Sequence, residues 1–352
     1  MSSRLGTSLS GNWKRLTERA VLCVLTVSWA GCGALAAPST ASANGFKTKN
    51  VVIVVADGER YTETWGDPER RNIPRMAALA KEGVVFTCFK NNGRPVTVPG
   101  HAAIATGKYE GDELDNAGQA LPSQPSFMQV WLHETGNNPS AAWIICSKRK
   151  LNVLGDTSQA DWKGLCRPSV DCADRNDSET FTTVLQTLKR DHPRMVLINL
   201  SAPDKKGHAG KFADYLQAIR DVDGYAADLW KFLQEDPFYA DQTAFFLSND
   251  HGRHSGEKFA GHGCDCEGCR HIMLMAMGPD FKKDEIVEAA AEQIDVSVTI
   301  AMLMGCSLPS SKGRVLKELF VKPPAEQPPR VPKAPGTPPV PDAVPAPMKK
   351  GL

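Results

Sequence analysis

The sequence predicts an α/β fold with a mostly parallel central sheet and helices on both faces. Three observations predict it. Five short apolar runs, at 51–56, 142–146, 195–200, 243–248 and 272–277, are too continuous for strands with one solvated face and suit parallel strands buried on both. Segments with helical spacing alternate with them, which is the pattern of a layered α/β domain. Three of the runs lead into acids: Asp57-Gly58 after the first, Asp204 and then His208 after the third, Asp250-His251 after the fourth. Ligands in open parallel sheets bind at the carboxyl ends of the strands, so these groups should converge on one edge.

From the N-terminus, residues 1–43 read as a secretory signal peptide. Arg4, Lys14, Arg15 and Arg19 precede an apolar run over 20–37, and small residues continue through Ala43. Gly31, Cys32 and Gly33 dilute that run below a good membrane span. A second reading makes Cys32 a lipid-modified first residue, since Ala30-Gly31-Cys32 resembles the end of a bacterial lipobox, with Trp29 where that pattern prefers Leu. The protein is therefore expected to be exported, periplasmic or secreted, with a lipid at Cys32 as its one route to a membrane.

A single folded domain is expected over residues 46–320. Helical spacing appears at 73–82 (Ile73, Met76, Ala77, Leu79, Ala80) and at 211–234, where Tyr215, Ile219, Val222, Leu229 and Phe232 share a face. Asp295 is placed to cap a last helix through Val298, Met302 and Leu303. Residues 321–352 read as a Pro-rich disordered tail, because 11 of the 25 prolines fall in 323–352 and remove backbone donors there. Over the whole chain, 41 Lys+Arg against 40 Asp+Glu leave no basic surplus for general nucleic-acid binding. With 41% hydrophobic residues the chain is not mostly disordered. The export segment takes Cys23 and Cys32 and leaves eight cysteines, an even number suited to disulfides in an oxidising compartment; Cys166 and Cys172 could close a short loop.

Asp and neutral His together are ligands for first-row metal ions, zinc included. A lone Asp after a strand is usually a turn or a cap. Three such ends, two with a nearby His, are harder to assign to turns. Residues 94–107 (RPVTVPGHAAIATG) add a hydroxyl. Pro95 and Pro99 keep Thr97 out of regular helix, just before a helix N-terminus that favours an anion. A Thr hydroxyl is a poor nucleophile unless a base or a metal ion activates it; without the Asp/His set, Thr97 would read as a cap. Beyond His262 runs Cys264-Asp265-Cys266-Glu267-Gly268-Cys269-Arg270-His271. Three Cys and a His there are too tightly spaced for a paired-knuckle zinc site, and the preferred reading is disulfides that stiffen the loop carrying His262. Arg253 and His254 read equally as contacts to substrate phosphate or as solvated loop residues, and Lys205 and Lys206 as surface charges that could touch the leaving group.

Asp57-Gly58-x-Arg60, Thr97-x-Pro99-x-His101 with Thr106-Gly107, Pro203-Asp204-x-x-Gly207-His208, Asp250-His251-Gly252 and His262-Gly263 together resemble, in chain order, the alkaline phosphatase superfamily. Within it they look most like the nucleotide pyrophosphatase/phosphodiesterase branch, whose nucleophile is also Thr. Residues 294–301 resemble the superfamily's last helix, so the resemblance spans residues 50–305. It implies an alkaline phosphatase-like core and two divalent metal ions, zinc or alternatively manganese. Asp57, Thr97, Asp250 and His251 would hold one ion, and Asp204, His208 and His262 the other. It further implies Thr97 as the nucleophile and Asn116 as a contact to the phosphoryl group. The chain departs at Gly100, where the family often has Asn before the His. Arylsulfatases are disfavoured, because Thr97, Pro99 and His101 stand where those enzymes need a Cys/Ser-x-Pro-x-Arg motif. The expected function is an exported two-metal phosphoric ester hydrolase, a phosphodiesterase/nucleotide pyrophosphatase. It would act on a small-molecule phosphate ester through a phospho-threonine at Thr97. A phosphomonoesterase on the same site and a non-catalytic, metal-stabilised binding protein are the alternatives. Phe127, Trp131, Trp143 and Trp162 lie where an apolar subsite for a diester would be supplied.

Overall fold

Burial on both faces makes a strand read as an unbroken apolar run, and the sheet built from these runs is the frame of the domain. The structure is a computed structural model that describes residues 45–322. The expected signal peptide with Cys32, and the tail beyond residue 322, lie outside the described residues. Among the described residues the strands are β1 (Asn50–Ala56), β2 (Gly83–Lys90), β3 (Ala142–Cys146), β4 (Ser169–Cys172), β5 (Met195–Leu200), β6 (Thr243–Ser248), β7 (His271–Met277), β8 (Glu285–Val287) and β9 (Ala291–Glu292). They form one sheet in the order β4-β3-β5-β1-β6-β7-β2-β8, with β9 also on β2. Pairings among β4, β3, β5, β1 and β6 are parallel. β7 runs antiparallel to both its neighbours, β6 and β2. Its sequence is as apolar as the parallel strands because it too is covered on both faces, so the run at 272–277 gave no sign of its direction.

The helices are α1 (Pro74–Leu79), α2 (Thr97–Thr106), α3 (Phe127–Thr135), α4 (Asp177–Asp191), α5 (Ala202–His208), α6 (Phe212–Glu235), α7 (Glu267–Arg270) and α8 (Gln293–Leu303). β1 shows how they cover the sheet. Val51, Ile53 and Val55 join the core shared with α2, α3 and α8; Val52, Val54 and Ala56 join the one shared with α1, α4 and α6. Each such buried Val or Ile contributes about 1.5–3 kcal/mol of hydrophobic stabilisation, which fixes the register against a one-residue slip.

Three expectations need correcting. Asp295 is not the N-cap of α8: Glu292 takes that position and Asp295 sits three residues on, where its carboxylate accepts from the Glu292 N–H at 2.9 Å. The eight described cysteines are all free thiols, Cys166 and Cys172 included. Cys172 stands in β4 opposite Cys146 of β3, so its side chain is committed to the interior of the sheet. Phe127, Trp131 and Trp162 are buried in the core of the α2/α3/α8 face, and Trp143 packs partly buried on the opposite face, so these aromatics stabilise the fold and do not line a substrate subsite. No helix among the described residues is long and apolar enough to cross a membrane.

Candidate active site

The parallel strands end level. Val55 stands opposite both Asn199 and Ser248, and Cys146 opposite Asn199. The residues just past β1, β3, β5 and β6 therefore emerge side by side: Asp57; Ser147-Lys148; Ser201 and then Asp204 in the first turn of α5; Asp250-His251. α2 meets this edge with Thr97 as its first helical residue, one step further in than the sequence suggests, and extended Val96 is the cap. A Cβ on Gly100 would lie 2.6 Å from the Asp250 carbonyl oxygen. The close approach of α2 to Asp250 is thus open only to glycine, which accounts for Gly where the resemblance expects Asn.

Asp57, Asp250 and His251 are fully buried. The Gly58 and His251 N–H groups donate to Asp250 Oδ1 at 3.1 and 2.9 Å. His251 Nδ1 donates to the Gly252 carbonyl at 2.8 Å, which leaves Nε2 as a bare lone pair. That Nε2 lies 3.6 Å from Asp57 Oδ1 and 3.4 Å from Asp250 Oδ2. All three atoms are buried without a hydrogen-bond partner. Burial, and then the facing charge of Asp250, push the Asp57 carboxyl above its ordinary range. Buried acceptors left unpaired are costly, and a cation among them removes that cost. The donor set and its convergence within 4.8 Å fit a divalent metal ion.

Lys148, which the sequence motifs do not single out, lies at the centre. Its Nζ is 2.8 Å from Asp57 Oδ2, 2.6 Å from Asp204 Oδ2 and 3.1 Å from Thr97 Oγ1. Burial works against its charge, but the two carboxylates outweigh burial and keep the amine protonated. Asn199 is a second residue that the motifs miss. Its Nδ2 donates to Asp57 Oδ2 at 2.9 Å and to His101 Nε2 at 3.0 Å, while His101 Nδ1 donates to the Thr97 carbonyl at 2.8 Å. One amide and one imidazole thereby tie β5, β1 and the start of α2 together.

The second expected set also converges. His208 Nε2 and His262 Nε2 are 3.0 Å apart, and 3.3 and 3.4 Å from Asp204 Oδ1. His251 joins Asp204 and His262 in a further group with metal-ligand spacing. Burial pushes His262 down to about 3, so it presents a neutral imidazole at any working pH. Asp204, however, is already shared: Oδ2 pairs with Lys148 and Oδ1 with Arg253. Burial opposes its ionisation, yet Lys148 and the neighbouring imidazoles hold the carboxyl well below the usual carboxylate range. Arg253 is fully buried, not a solvated loop residue. Gly207 makes its room, because a Cβ there would lie 2.5 Å from the guanidinium carbon.

Asn116 lies beside the nucleophile candidate. Its Oδ1 accepts from the Val98 N–H at 2.9 Å and from Lys150 Nζ at 3.2 Å, so the amide N–H groups are what it can offer to a substrate oxygen. A cavity of about 610 Å³ adjoins Lys148 and is lined by Arg149, Lys150 and Lys205 with Gly118, Asn152 and Asp174. Lys205 spends its ammonium on the Ser147 and Arg175 carbonyls, and Lys206 stays on the surface. With Lys148 already paired, Arg149, Lys150 and Lys205 against Asp174 make the approach attractive to an anion.

A model of the sulfatase family matches residues 49–306 of this chain. No curated protein matches it. Among solved structures, phosphonate monoester hydrolase from Silicibacter pomeroyi is similar at 16% identity over 76% of each chain, with a TM-score of 0.56. Murine ectonucleotide pyrophosphatase/phosphodiesterase 5 is similar at 15% identity over 75% of this chain and 97% of that one, TM-score 0.56. The lipoteichoic acid synthase LtaP from Listeria monocytogenes is similar at 13% identity over 76% of this chain and 74% of that one, TM-score 0.52. At these identities the likeness concerns the fold.

Proposed function

The chain belongs to the sulfatase family of the alkaline phosphatase superfamily, whose enzymes hydrolyse phosphate or sulfate esters, and on that premise we propose that it is a metal-dependent phosphoric ester hydrolase acting through Thr97. One observation carries the reading. The buried Thr97 hydroxyl, at the positive end of α2, touches protonated Lys148 beside three converging ligand atoms that have no partner. When bound there, a divalent ion would lower the pKa of the hydroxyl and neutralise charge on the phosphoryl oxygens. Lys148 adds a second positive charge at Thr97 Oγ1, favouring its ionised form, and faces the side from which an anionic ester would arrive. Asn116 is placed to donate to a non-bridging oxygen. His101 and Asn199 hold the start of α2 against Asp57. Attack by Thr97 Oγ1 on phosphorus expels the leaving alcohol and forms phospho-Thr97; water then attacks the same phosphorus and releases Thr97.

Asp57, Thr97, Asp250 and His251 form the better-founded ion site. Asp204, His208 and His262 would hold a second ion only by drawing Asp204 away from Lys148 or Arg253. The cationic cavity favours a substrate with charge beyond the reacting phosphoryl group, as a nucleotide pyrophosphate linkage has. Threonine as nucleophile supports a diester by resemblance. The test is a p-nitrophenyl panel on purified, metal-loaded protein: the phosphate diester, the phosphate monoester and the sulfate ester. Fastest release from the diester is expected, with Thr97→Ala losing roughly 10³-fold or more. Full activity in Thr97→Ala refutes the nucleophile, and the sulfate as best substrate moves the reading to sulfuryl transfer. Export is proposed from residues 1–43; N-terminal sequencing of the mature protein should begin at Asn44, or at a lipid-modified Cys32.

A further inference from the structure

The loop after β6 leaves the active-site edge at His251 and returns at α7. Its neck is closed by backbone bonds: Gly252 N–H to the Cys269 carbonyl and Arg253 N–H to the Gly268 carbonyl, both 2.8 Å, and His254 N–H to the Gly261 carbonyl at 2.9 Å. At this neck the fold brings His254 to the three cysteines of the segment 264–269. His254 Nδ1 lies 3.0 Å from Cys264 Sγ, 3.4 Å from Cys269 Sγ and 3.8 Å from Cys266 Sγ, and Cys264 Sγ lies 3.8 Å from Cys269 Sγ. His271, the imidazole that stands with these cysteines in the sequence, is turned away, with Nε2 donating to the Thr87 carbonyl.

We propose that His254, Cys264, Cys266 and Cys269 bind a structural zinc ion that shares no ligand with the active site. Three thiolates and one imidazole are a closed, four-coordinate zinc set. The geometry is that of an ion's shell and not of a disulfide. A tetrahedron with Zn–S bonds of about 2.3 Å sets its sulfurs about 3.8 Å apart, whereas a disulfide needs about 2.05 Å. A disulfide would also leave one of the three sulfurs and His254 without a partner. Zinc binding releases the three thiol protons to solvent and leaves the imidazole neutral. The ion's task would be mechanical. The same loop carries Arg253, which pairs with Asp204, and His262, whose Nε2 faces the same carboxylate. An ion at the neck fixes where both groups reach the active site.

X-ray absorption at the zinc edge of the full-length protein, purified without chelator, tests this without any substitution. A sulfur shell at about 2.3 Å is expected. Cys264→Ser is expected to lose that shell and one zinc per chain by mass spectrometry, while Asp57→Asn keeps the shell. A shell of nitrogen and oxygen alone, or a disulfide among Cys264, Cys266 and Cys269 in the unreduced protein, overturns the proposal. The Asp57/Asp250/His251 set contains no sulfur, so failure here leaves the reading of the active site standing.

Discussion

Lys148 Nζ is a single protein cation in contact with Asp57, Asp204 and Thr97 together. Lys148→Met keeps most of the stem's volume and leaves two buried carboxylates short of a partner. Removing one side of such a pair costs about 3–5 kcal/mol. Because the lost charge faces the Thr97 oxygen proposed as the nucleophile, turnover should fall by about 10²-fold or more with the variant still folded, as steady-state kinetics and unfolding measurements would show. Glu59, two residues beyond Asp57, gives a second test. Burial raises its carboxyl to about 8, against a weaker opposing hydrogen bond from Asn249. An acid with a raised folded pKa binds its proton more tightly folded than unfolded. Its contribution to stability is therefore complete below the ordinary value of 4.5 and lost as pH rises towards about 8. Glu59→Gln has no such titration. In chelator-treated protein its stability relative to wild type should climb from about pH 5 to about pH 8 and then level off, measured by urea unfolding. A flat difference would mean that Glu59 ionises normally.

At the scale of elements, α2 is the part whose placement matters most. Gly100→Ala would set a methyl group 2.6 Å from the Asp250 carbonyl oxygen, so the helix must back away. Overpacking of this kind costs about 1–3 kcal/mol. A displacement of about 1 Å at Thr97 can cost about 10²-fold in rate. The variant should therefore lose proportionally more kcat/KM than stability, and denaturation midpoints and kinetics measured on the same preparation would show the split. The same elements explain what could be read in the sequence. β3, β5 and β6 announced their own boundaries because they are covered on both faces. β2 did not, since partly exposed Thr87 and exposed Cys88 interrupt its apolar run, and β4, β8 and β9 are too short to show a pattern. The acids at three strand ends were legible by a rule that applies equally to β3. Its end carries Ser147-Lys148, and a lysine there does not look like a ligand. Arg253 looked like surface because its pocket exists only where Gly207 lacks a side chain. His254 was unreadable beside Cys264–Cys269, since the loop neck that joins them is tertiary.

For the whole molecule, a net charge of +1 conceals how the charges are distributed. Asp57, Asp204 and Asp250 are buried together at one edge of the sheet, where Lys148 and Arg253 meet Asp204 and Lys148 meets Asp57, but neither is in contact with Asp250 Oδ2. The folded state without ions must hold that edge against its own repulsion, while the unfolded chain solvates each carboxylate separately. An ion that binds only the folded edge therefore shifts the folding equilibrium of the entire domain. Manganese is the informative probe, because it prefers oxygen and imidazole over thiolate and so leaves the cysteine neck aside. At one hundred times its dissociation constant it should add about 2.7 kcal/mol. For a domain of this size that raises the midpoint of thermal unfolding by roughly 5 °C. Asp250→Asn should cancel most of the shift, and an equal shift in that variant would place the ion elsewhere on the molecule.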